Sequence, residues 1–393
     1  MTLTGLEVLS QNTEKQKLLL GNVAYLCHSA SIDQNFKIGV LVLKDILGSR
    51  LKKIWGPQHG FVTDVQDNMV ESSNFHHPYF DLPVESLYGE TRVPSEKMME
   101  GIDTIVVDLQ DVGTRVYTYI TTLSYVLDQA AKLGKRVIVL DRPNPVGGEM
   151  IEGNILEPEW KSFVGHLPIP MRHAMTMGEV GHFHLKHFDL DCDYHVIEMQ
   201  NWKRSMSWDE TGLPWVNPSP NLSTPNSALS FCGTVLFEGT NISEGRGTTR
   251  ALEVIGAPKI DAYEWCDHLN QKVKEWKLEG FVLRPLQFYP MFQKHSGENC
   301  GGVHIHCTDH HKFESWKLGQ LLLQECYHQK YFEFKWNDQP YEYQYENLAI
   351  DYINGTTKLR EWVEKKGSLG ELNAICSYSL DDFVKNRGSI LLY

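Results

Sequence analysis

Nothing in this 393-residue sequence is apolar for long enough to cross a bilayer, since no run approaches the roughly 18–20 residues a membrane helix needs. Basic residues are scarce: 37 Lys and Arg stand against 50 Asp and Glu, a formal net charge of −13. Non-specific nucleic-acid binding relies on clustered Lys and Arg, so neither nucleic acid nor a membrane is an expected partner. The opening Met1-Thr2-Leu3-Thr4-Gly5-Leu6-Glu7 offers neither a basic n-region nor an apolar h-region, and a cytoplasmic location is expected. The eight cysteines, at positions 27, 192, 232, 266, 300, 307, 326 and 376, include no Cys-x-x-Cys pair. In a chain this long they read as reduced, mostly buried thiols rather than a disulfide framework. Cys300 and Cys307 merit weighing as nucleophiles, but no local feature marks either as an activated thiol.

Several chemical signatures are missing as well. No Gly-x-Gly-x-x-Gly follows the first strand and no Gly-x-x-x-x-Gly-Lys-Ser/Thr occurs, which disfavours a dinucleotide site and a P-loop. No Gly-x-Ser-x-Gly supplies a nucleophile elbow for a Ser-His-Asp hydrolase. His304 and His306 share one strand face and His310-His311 follow, but no His-Glu-x-x-His or other complete ligand spacing appears. Neither a metal nor a cofactor is expected.

What remains is an ordinary globular composition, 41% hydrophobic and 22% charged. Four short apolar runs each end in polar or Gly/Pro-rich sequence. Asn22–Cys27 leads into His28-Ser29-Ala30-Ser31, and Leu51–Trp55 into Gly56-Pro57-Gln58-His59-Gly60-Phe61. Thr104–Val107 leads into Asp108-Leu109-Gln110-Asp111-Val112-Gly113-Thr114-Arg115-Val116-Tyr117-Thr118-Tyr119, and Arg136–Leu140 into Asp141-Arg142-Pro143-Asn144-Pro145. Continuous apolar runs of this length read as strands buried on both faces. They alternate with helical patterns such as Leu123–Leu133, which stops at Gly134. Strand–helix alternation predicts a doubly wound α/β, Rossmann-like parallel-sheet domain.

By length, two domains are expected, at roughly 100–200 residues each. The larger spans residues 1–240. Its stretch from Asn201 to Phe231, with Pro214, Pro218, Pro220 and Pro225, reads as a long ordered loop without helix. The smaller, residues 241–393, reads as α/β or α+β, with a turn at Gly256-Ala257-Pro258, a helix over Ala262–Trp276 and strands at Val282–Phe288 and Gly302–Cys307.

In open parallel sheets, ligands bind outside the carboxyl ends of the strands. The acids there and in the Gly-rich run Glu238–Arg250 make Asp108, Asp111, Glu179 and Glu244 the candidate catalytic carboxylates, with Glu90 in reserve. Asp108 and Asp111 are equally open to a helix-capping role. Thr176 and Glu179 fit a capping box just after Arg172-His173. In the Gly-rich run, Arg246 has the fork geometry to clamp a carboxylate or phosphate, and Asn241 and Thr248 add polar groups. Paired carboxylates, with Tyr117, Tyr119 and Trp215 to line a sugar, suit glycoside hydrolysis.

The order and wording of these motifs resemble the exo-β-N-acetylmuramidases of the NamZ type, over nearly the whole chain. The likeness rests on Gly56-Pro57-x-His59-Gly60-Phe61, Ser86-Leu87-Tyr88-Gly89, the Asp108–Tyr119 run and Asp141-Arg142-Pro143-Asn144-Pro145. It continues through Glu152-Gly153, Arg172-His173-x-Met175-Thr176-x-Gly178-Glu179, Pro218-Ser219-Pro220-Asn221 and the Glu238–Thr249 run. Lys294-His295-x-Gly297-Glu298-x-Cys300-Gly301-Gly302-Val303 and the closing Leu391-Leu392-Tyr393 complete it. The resemblance implies a Rossmann-like domain joined to a smaller C-terminal domain, with the active-site cleft between them, and removal of non-reducing terminal N-acetylmuramic acid from peptidoglycan fragments during cell-wall recycling.

On that resemblance, substrate-binding groups are expected at Gln58, His59, Asn144, His173 and Asn221, beside the residues already named. The lactyl carboxylate of the sugar calls for a cation, for which Arg115, Arg142, Arg172 and Arg246 are available. One departure stands out. The family motif usually reads Gly-Pro-Glu-His-Gly, and here Gln58 replaces the acid. A Gln can hydrogen-bond a sugar but cannot donate a proton as a general acid. The segment after it, around Asp67-Asn68-Met69-Val70-Glu71, differs too, and Glu71 or Glu90 are the neighbouring acids. The alternative expectation is therefore a catalytically silent or re-specialised saccharide-binding protein, and a third is a hydrolase of another glycan. Gln58, His59, Asp108, Arg115, Arg142 and Glu244 are expected to converge on one sugar-sized cleft.

Overall fold

A computed structural model describes residues 1–66 and 69–393; Asp67 and Asn68, part of the segment noted above, lie outside the described residues. Seven strands form the larger sheet: β1 (Val23–Cys27), β2 (Leu51–Gly56), β3 (Phe75–His77), β4 (Leu82–Ser86), β5 (Thr104–Asp108), β6 (Arg136–Leu140) and β7 (Tyr194–Ile197). Their order is β3-β4-β2-β1-β5-β6-β7, parallel throughout except for the edge strand β3. Every residue of β1 and β5 is buried, as their unbroken apolar runs predict for strands covered on both faces. The chain builds outward from β1 through β2 to β4 and then returns to β5 on the other side. The crevice at the carboxyl ends of β1 and β5 is thus the topological switch point.

The helix Tyr119–Leu133 follows β5 and ends where Gly134 takes a left-handed conformation, φ 62°. The helix Met177–Phe188 opens with the Thr176/Glu179 capping box read from the sequence. Two local expectations are corrected. The Asn201–Phe231 stretch contains the short helix Trp208–Thr211 and the start of the helix Pro225–Thr234. Pro225 stands in the first turn of that helix, where its missing N–H costs nothing, and Thr224 caps it. The supposed turn Gly256-Ala257-Pro258 completes strand β8 (Val254–Pro258). Pro258 is tolerated there because β8 lies at a sheet edge.

With β9 (Phe281–Phe288) and β10 (Cys300–Cys307), β8 forms an antiparallel three-stranded sheet in the order β8-β10-β9. The helix Ala262–Trp276 packs on it, and the helix Ser315–His328 packs on that helix and on Pro225–Thr234, giving the smaller α+β unit. A single buried cluster runs from Leu26 and Val107 through Phe231 and Leu236 to Trp316 and Trp362, so the two sheets share one core. Glycines make part of this junction possible. A Cβ on Gly233 would lie 2.0 Å from the Ser315 carbonyl oxygen, and one on Gly319 would lie 2.4 Å from that of Gly233. No helix among the described residues is long and apolar enough to cross a membrane.

Candidate active site

Beyond β2 the chain makes a tight turn. Gly60 N–H donates to the Pro57 carbonyl at 3.0 Å, and His59 takes a left-handed backbone, φ 68°. This turn sets Gln58 and His59 on a buried cavity lined also by Tyr117, Thr118, Glu238, Arg246, Tyr341 and Glu342. Tyr117 and Thr118 come from the loop after β5, Glu238 and Arg246 from the Gly-rich run. Glu342 and Tyr343 both adopt left-handed backbone, φ 46° and 64°, unusual for residues with a Cβ. Such strain clusters at functional sites.

The polar groups around the cavity form two connected sets. In the first, Thr118 Oγ1 donates to Gln58 Oε1, and Gln58 Nε2 donates to Glu342 Oε1 at 3.0 Å. Tyr88 OH donates to the other Glu342 oxygen at 2.6 Å. In the second, Arg246 bridges Glu238 and Glu244, its Nε lying 3.1 Å from Glu244 Oε1. Tyr341 OH donates to Glu238 at 2.6 Å and Lys294 Nζ to Glu244 at 2.8 Å. Gly247, φ 81°, lets this run pass close to the Phe292 backbone, where a Cβ would lie 2.5 Å from the carbonyl oxygen.

The acids in these sets differ in character. Burial pushes the Glu342 carboxyl above its usual pKa, aided by the nearby Glu238 charge and opposed by the Tyr88 and Gln58 donors. Burial also pushes Glu244 upward, but Lys294 and Arg246 outweigh it and hold that carboxyl below the usual range. Burial lowers His59 to about 4, so the ring is neutral at pH 7. Its Nδ1 faces the Val65 carbonyl at 2.7 Å, which requires the proton on Nδ1 and leaves Nε2 as an acceptor.

The expected single cleft is only partly formed. Gln58, His59, Tyr117 and Arg246 reach the cavity, and Glu244 stands behind Arg246. Asp108 does not line it: Arg142 and Tyr25 occupy both its oxygens, and Arg142 also donates to the Ile32 carbonyl at 2.9 Å. Arg115 is buried, and its guanidinium donates to the carbonyls of Asn154, Ile169, Ile353 and Asn354. Arg172 pairs with Glu152 at 3.0 Å and donates to the Phe313 carbonyl. Glu179 caps its helix and bonds Arg204 and the Leu392 N–H. Sequence motifs alone could not separate these arginines, because each one's partner comes from a distant segment.

Others sit near the site without facing the cavity. Asp111 receives the Gly113 N–H at 2.7 Å, lies 3.6 Å from His173 Nε2, and keeps its other oxygen buried without a hydrogen-bond partner among the described residues. Tyr119 OH donates to the Pro218 carbonyl at 2.8 Å, and Asn221 Nδ2 to that of Gln66 at 3.3 Å. Asn144 braces Met175 and Val146, while Asn241 tethers the Gly-rich run to residues Glu333 and Lys335. Thr248 Oγ1 donates to the Gly245 carbonyl at 2.6 Å. Glu90 is exposed on a separate open groove shared with Glu71 and Lys97.

Metal-ligand atoms gather elsewhere: Glu210, His310 and His311 bring theirs within 4.8 Å of one another at the surface. His304 instead bonds Glu253 at 3.2 Å.

Sequence reasoning missed Glu342 and Tyr341, read Tyr88 only as part of a motif, and placed Glu238 in the Gly-rich run without choosing it as a catalytic acid. The alternation Tyr341-Glu342-Tyr343-Gln344-Tyr345-Glu346 was the available signal for the first two.

Residues 23–226 match the family described as exo-β-N-acetylmuramidase NamZ, N-terminal, and residues 229–393 its C-terminal counterpart. The chain is 39% identical to the peptidoglycan β-N-acetylmuramidase NamZ of Bacillus subtilis (strain 168), over 99% of this chain and 91% of that protein. Two crystal structures of DUF1343 family proteins from Bacteroides fragilis NCTC 9343 share the fold. One superposes with a TM-score of 0.85 at 29% identity and the other with 0.74 at 26%, each covering 100% of this chain and 99% of its own.

Proposed function

We propose that this chain, which belongs to the NamZ family of exo-β-N-acetylmuramidases, hydrolyses the glycosidic bond of non-reducing terminal N-acetylmuramic acid in peptidoglycan fragments. The observation that carries the reading is the pair of buried carboxylates, Glu342 and Glu238, on one cavity beyond the carboxyl edge of the parallel sheet. Glycoside hydrolysis needs one carboxyl group to protonate the leaving oxygen and a second to support the oxocarbenium-like transition state, as nucleophile or as base. Glu342, with its raised pKa, is the proton donor in this scheme. Glu238, ion-paired with Arg246 and bonded by Tyr341, is the second carboxylate.

Gln58 then orients Glu342 rather than acting as the acid, and an acid is still present where the usual Glu is replaced. This favours an active enzyme over a silent binder. The cavity measures about 40 Å³, far below the roughly 300–1,000 Å³ of sites that take small molecules, so it must widen to admit the sugar. The eight unpaired cysteine thiols support a reducing, cytoplasmic setting.

The test is release of chromophore from p-nitrophenyl β-N-acetylmuramide. Glu342→Gln is expected to lower kcat by about 10²–10⁴-fold, the usual worth of general acid catalysis, with thermal unfolding unchanged. Undiminished turnover by Glu342→Gln would overturn its role as proton donor; no turnover by the wild-type chain would overturn the activity.

A further inference from the structure

The four arginines first in line for the lactyl carboxylate all have partners. Arg115 is held by backbone carbonyls, Arg142 by Asp108, Arg172 by Glu152, and Arg246 by Glu238 and Glu244. A fifth arginine, Arg92, is built differently. Among the described residues both its Nε and its Nη2 are buried without a hydrogen-bond partner, where Arg115 and Arg172 leave only Nε so, and no carboxylate forms an ion pair with it. Its guanidinium lies 3.7 Å from the ring centre of Tyr343, 5.1 Å from that of Tyr88 and 5.5 Å from that of Phe163.

Those rings set it beside the cavity, one residue layer behind the lining. Tyr88 bonds Glu342, Tyr343 follows Glu342 in the chain, and Phe163 precedes Val164, which lines the cavity. Arg92 is also near enough for its charge to favour the ionised form of Glu342. The short turn that carries it is braced, since Thr91 Oγ1 donates to the Val93 carbonyl at 2.7 Å and receives the Val93 N–H at 3.1 Å.

Buried donors left unmade are costly, and cation–π contacts offset only part of that cost. A guanidinium presents a planar pair of N–H groups that matches a carboxylate in both shape and charge. We infer that Arg92 is the carboxylate-binding residue of the site and reads the lactyl group that distinguishes N-acetylmuramic acid from N-acetylglucosamine. The inference rests on the activity proposed above. It assigns sugar selectivity to a residue that itself gives and takes no proton in bond cleavage.

Calorimetry with N-acetylmuramic acid, its methyl ester and N-acetylglucosamine separates the two readings. In the wild-type chain, N-acetylmuramic acid is expected to bind about ten- to a hundredfold more tightly than the other two, the worth of a charged hydrogen-bonded pair. Arg92→Met should erase that margin and leave N-acetylglucosamine binding unchanged, while Arg92→Lys should keep part of it. Equal weakening toward all three sugars, or a margin that survives Arg92→Met, would overturn the role of Arg92 while the muramidase reading stands. A wild-type chain that neither binds nor cleaves N-acetylmuramides would overturn the muramidase reading, and the Arg92 inference would fall with it.

Discussion

At the ends of β5 and β6, Asp108 receives Arg142 and Tyr25, and Asp141 receives Thr176 Oγ1, the Gly178 N–H and Tyr393 OH. Beyond β2, Gln58, Glu342, Glu238 and Arg246 surround a cavity, and Arg92 stands nearby with donors unmade. Both regions occupy the carboxyl edge of one sheet, and both are rich in acid and arginine. The first is saturated, with Asp108 and Asp141 held on both oxygens by their own side chains and backbone; around the cavity the acids are bonded too, but Tyr117 OH and two Arg92 nitrogens are buried without a hydrogen-bond partner among the described residues. Motif content is therefore a weak guide to chemistry here. A charged strand end becomes a site only where the fold leaves it incomplete.

The sharpest way to break this contrast is Arg142→Met. It would leave Asp108 buried beside Tyr25 without its cation. Breaking such a pair from one side costs about 3–5 kcal/mol. Thermal denaturation should show a large loss of stability, while activity below the new melting transition stays near that of the wild type. A comparable fall in kcat at a temperature where the variant is folded would place Asp108 and Arg142 back in the catalytic machinery.

Asp141 gives the next largest effect, read through pH. Burial raises its pKa from 3.8 to about 7. A carboxyl raised in the folded state favours folding fully below its unfolded pKa, and that contribution is lost as pH rises through the folded value. Between about pH 4 and 7 the loss amounts to at most about 4 kcal/mol, at about 1.4 kcal/mol per unit. Urea unfolding across this range should show wild-type stability falling relative to Asp141→Asn. Parallel pH profiles for the two proteins would mean Asp141 is ionised throughout.

The saturated region was also the more legible one. Strands β1, β2, β5 and β6 follow from continuous apolar runs, the end at Gly134 from a left-handed cap, and the helix start from the Thr176/Glu179 spacing. All are local signals. The cavity depends on a contact between Gln58 and Glu342, 284 residues apart, which no periodicity carries. Helix Pro225–Thr234 escaped for a different reason: its proline reads as a breaker until its place in the first turn is known. Arg92 sits in a loop with no motif to distinguish it from Arg115 or Arg142, whose committed partners only the fold reveals.

Gln58→Glu sharpens the comparison from the cavity side. It would set a second carboxyl where the Gln58 amide now donates to Glu342 at 3.0 Å. Two carboxyls that close share a proton, and one of the pair titrates at a raised pKa. A proton donor is active only while protonated, so the alkaline limb of the kcat profile should move to higher pH by about one unit or more. An unmoved limb would mean that the proton comes from a carboxyl out of contact with position 58.

The smallest expected effect tests the saturated region at a single hydrogen-bonding group. Thr176 Oγ1 accepts the Glu179 N–H at 3.3 Å and donates to Asp141 at 2.7 Å, joining the helix cap to the buried acid. Thr176→Val keeps the shape and removes both bonds. Loss of a cap alone costs about 1 kcal/mol. The lost donor to Asp141 should also raise that carboxyl's pKa further, because the Thr176 bond is one of the contacts that lowers it. Stability should therefore fall by about 1–2 kcal/mol, for the cap and one further hydrogen bond, with the pH-dependent decline shifted upward and kcat unchanged. A fall in kcat without loss of stability would show that the motif around Arg172–Glu179 serves the reaction, and that the division between a saturated frame and an open site is drawn in the wrong place.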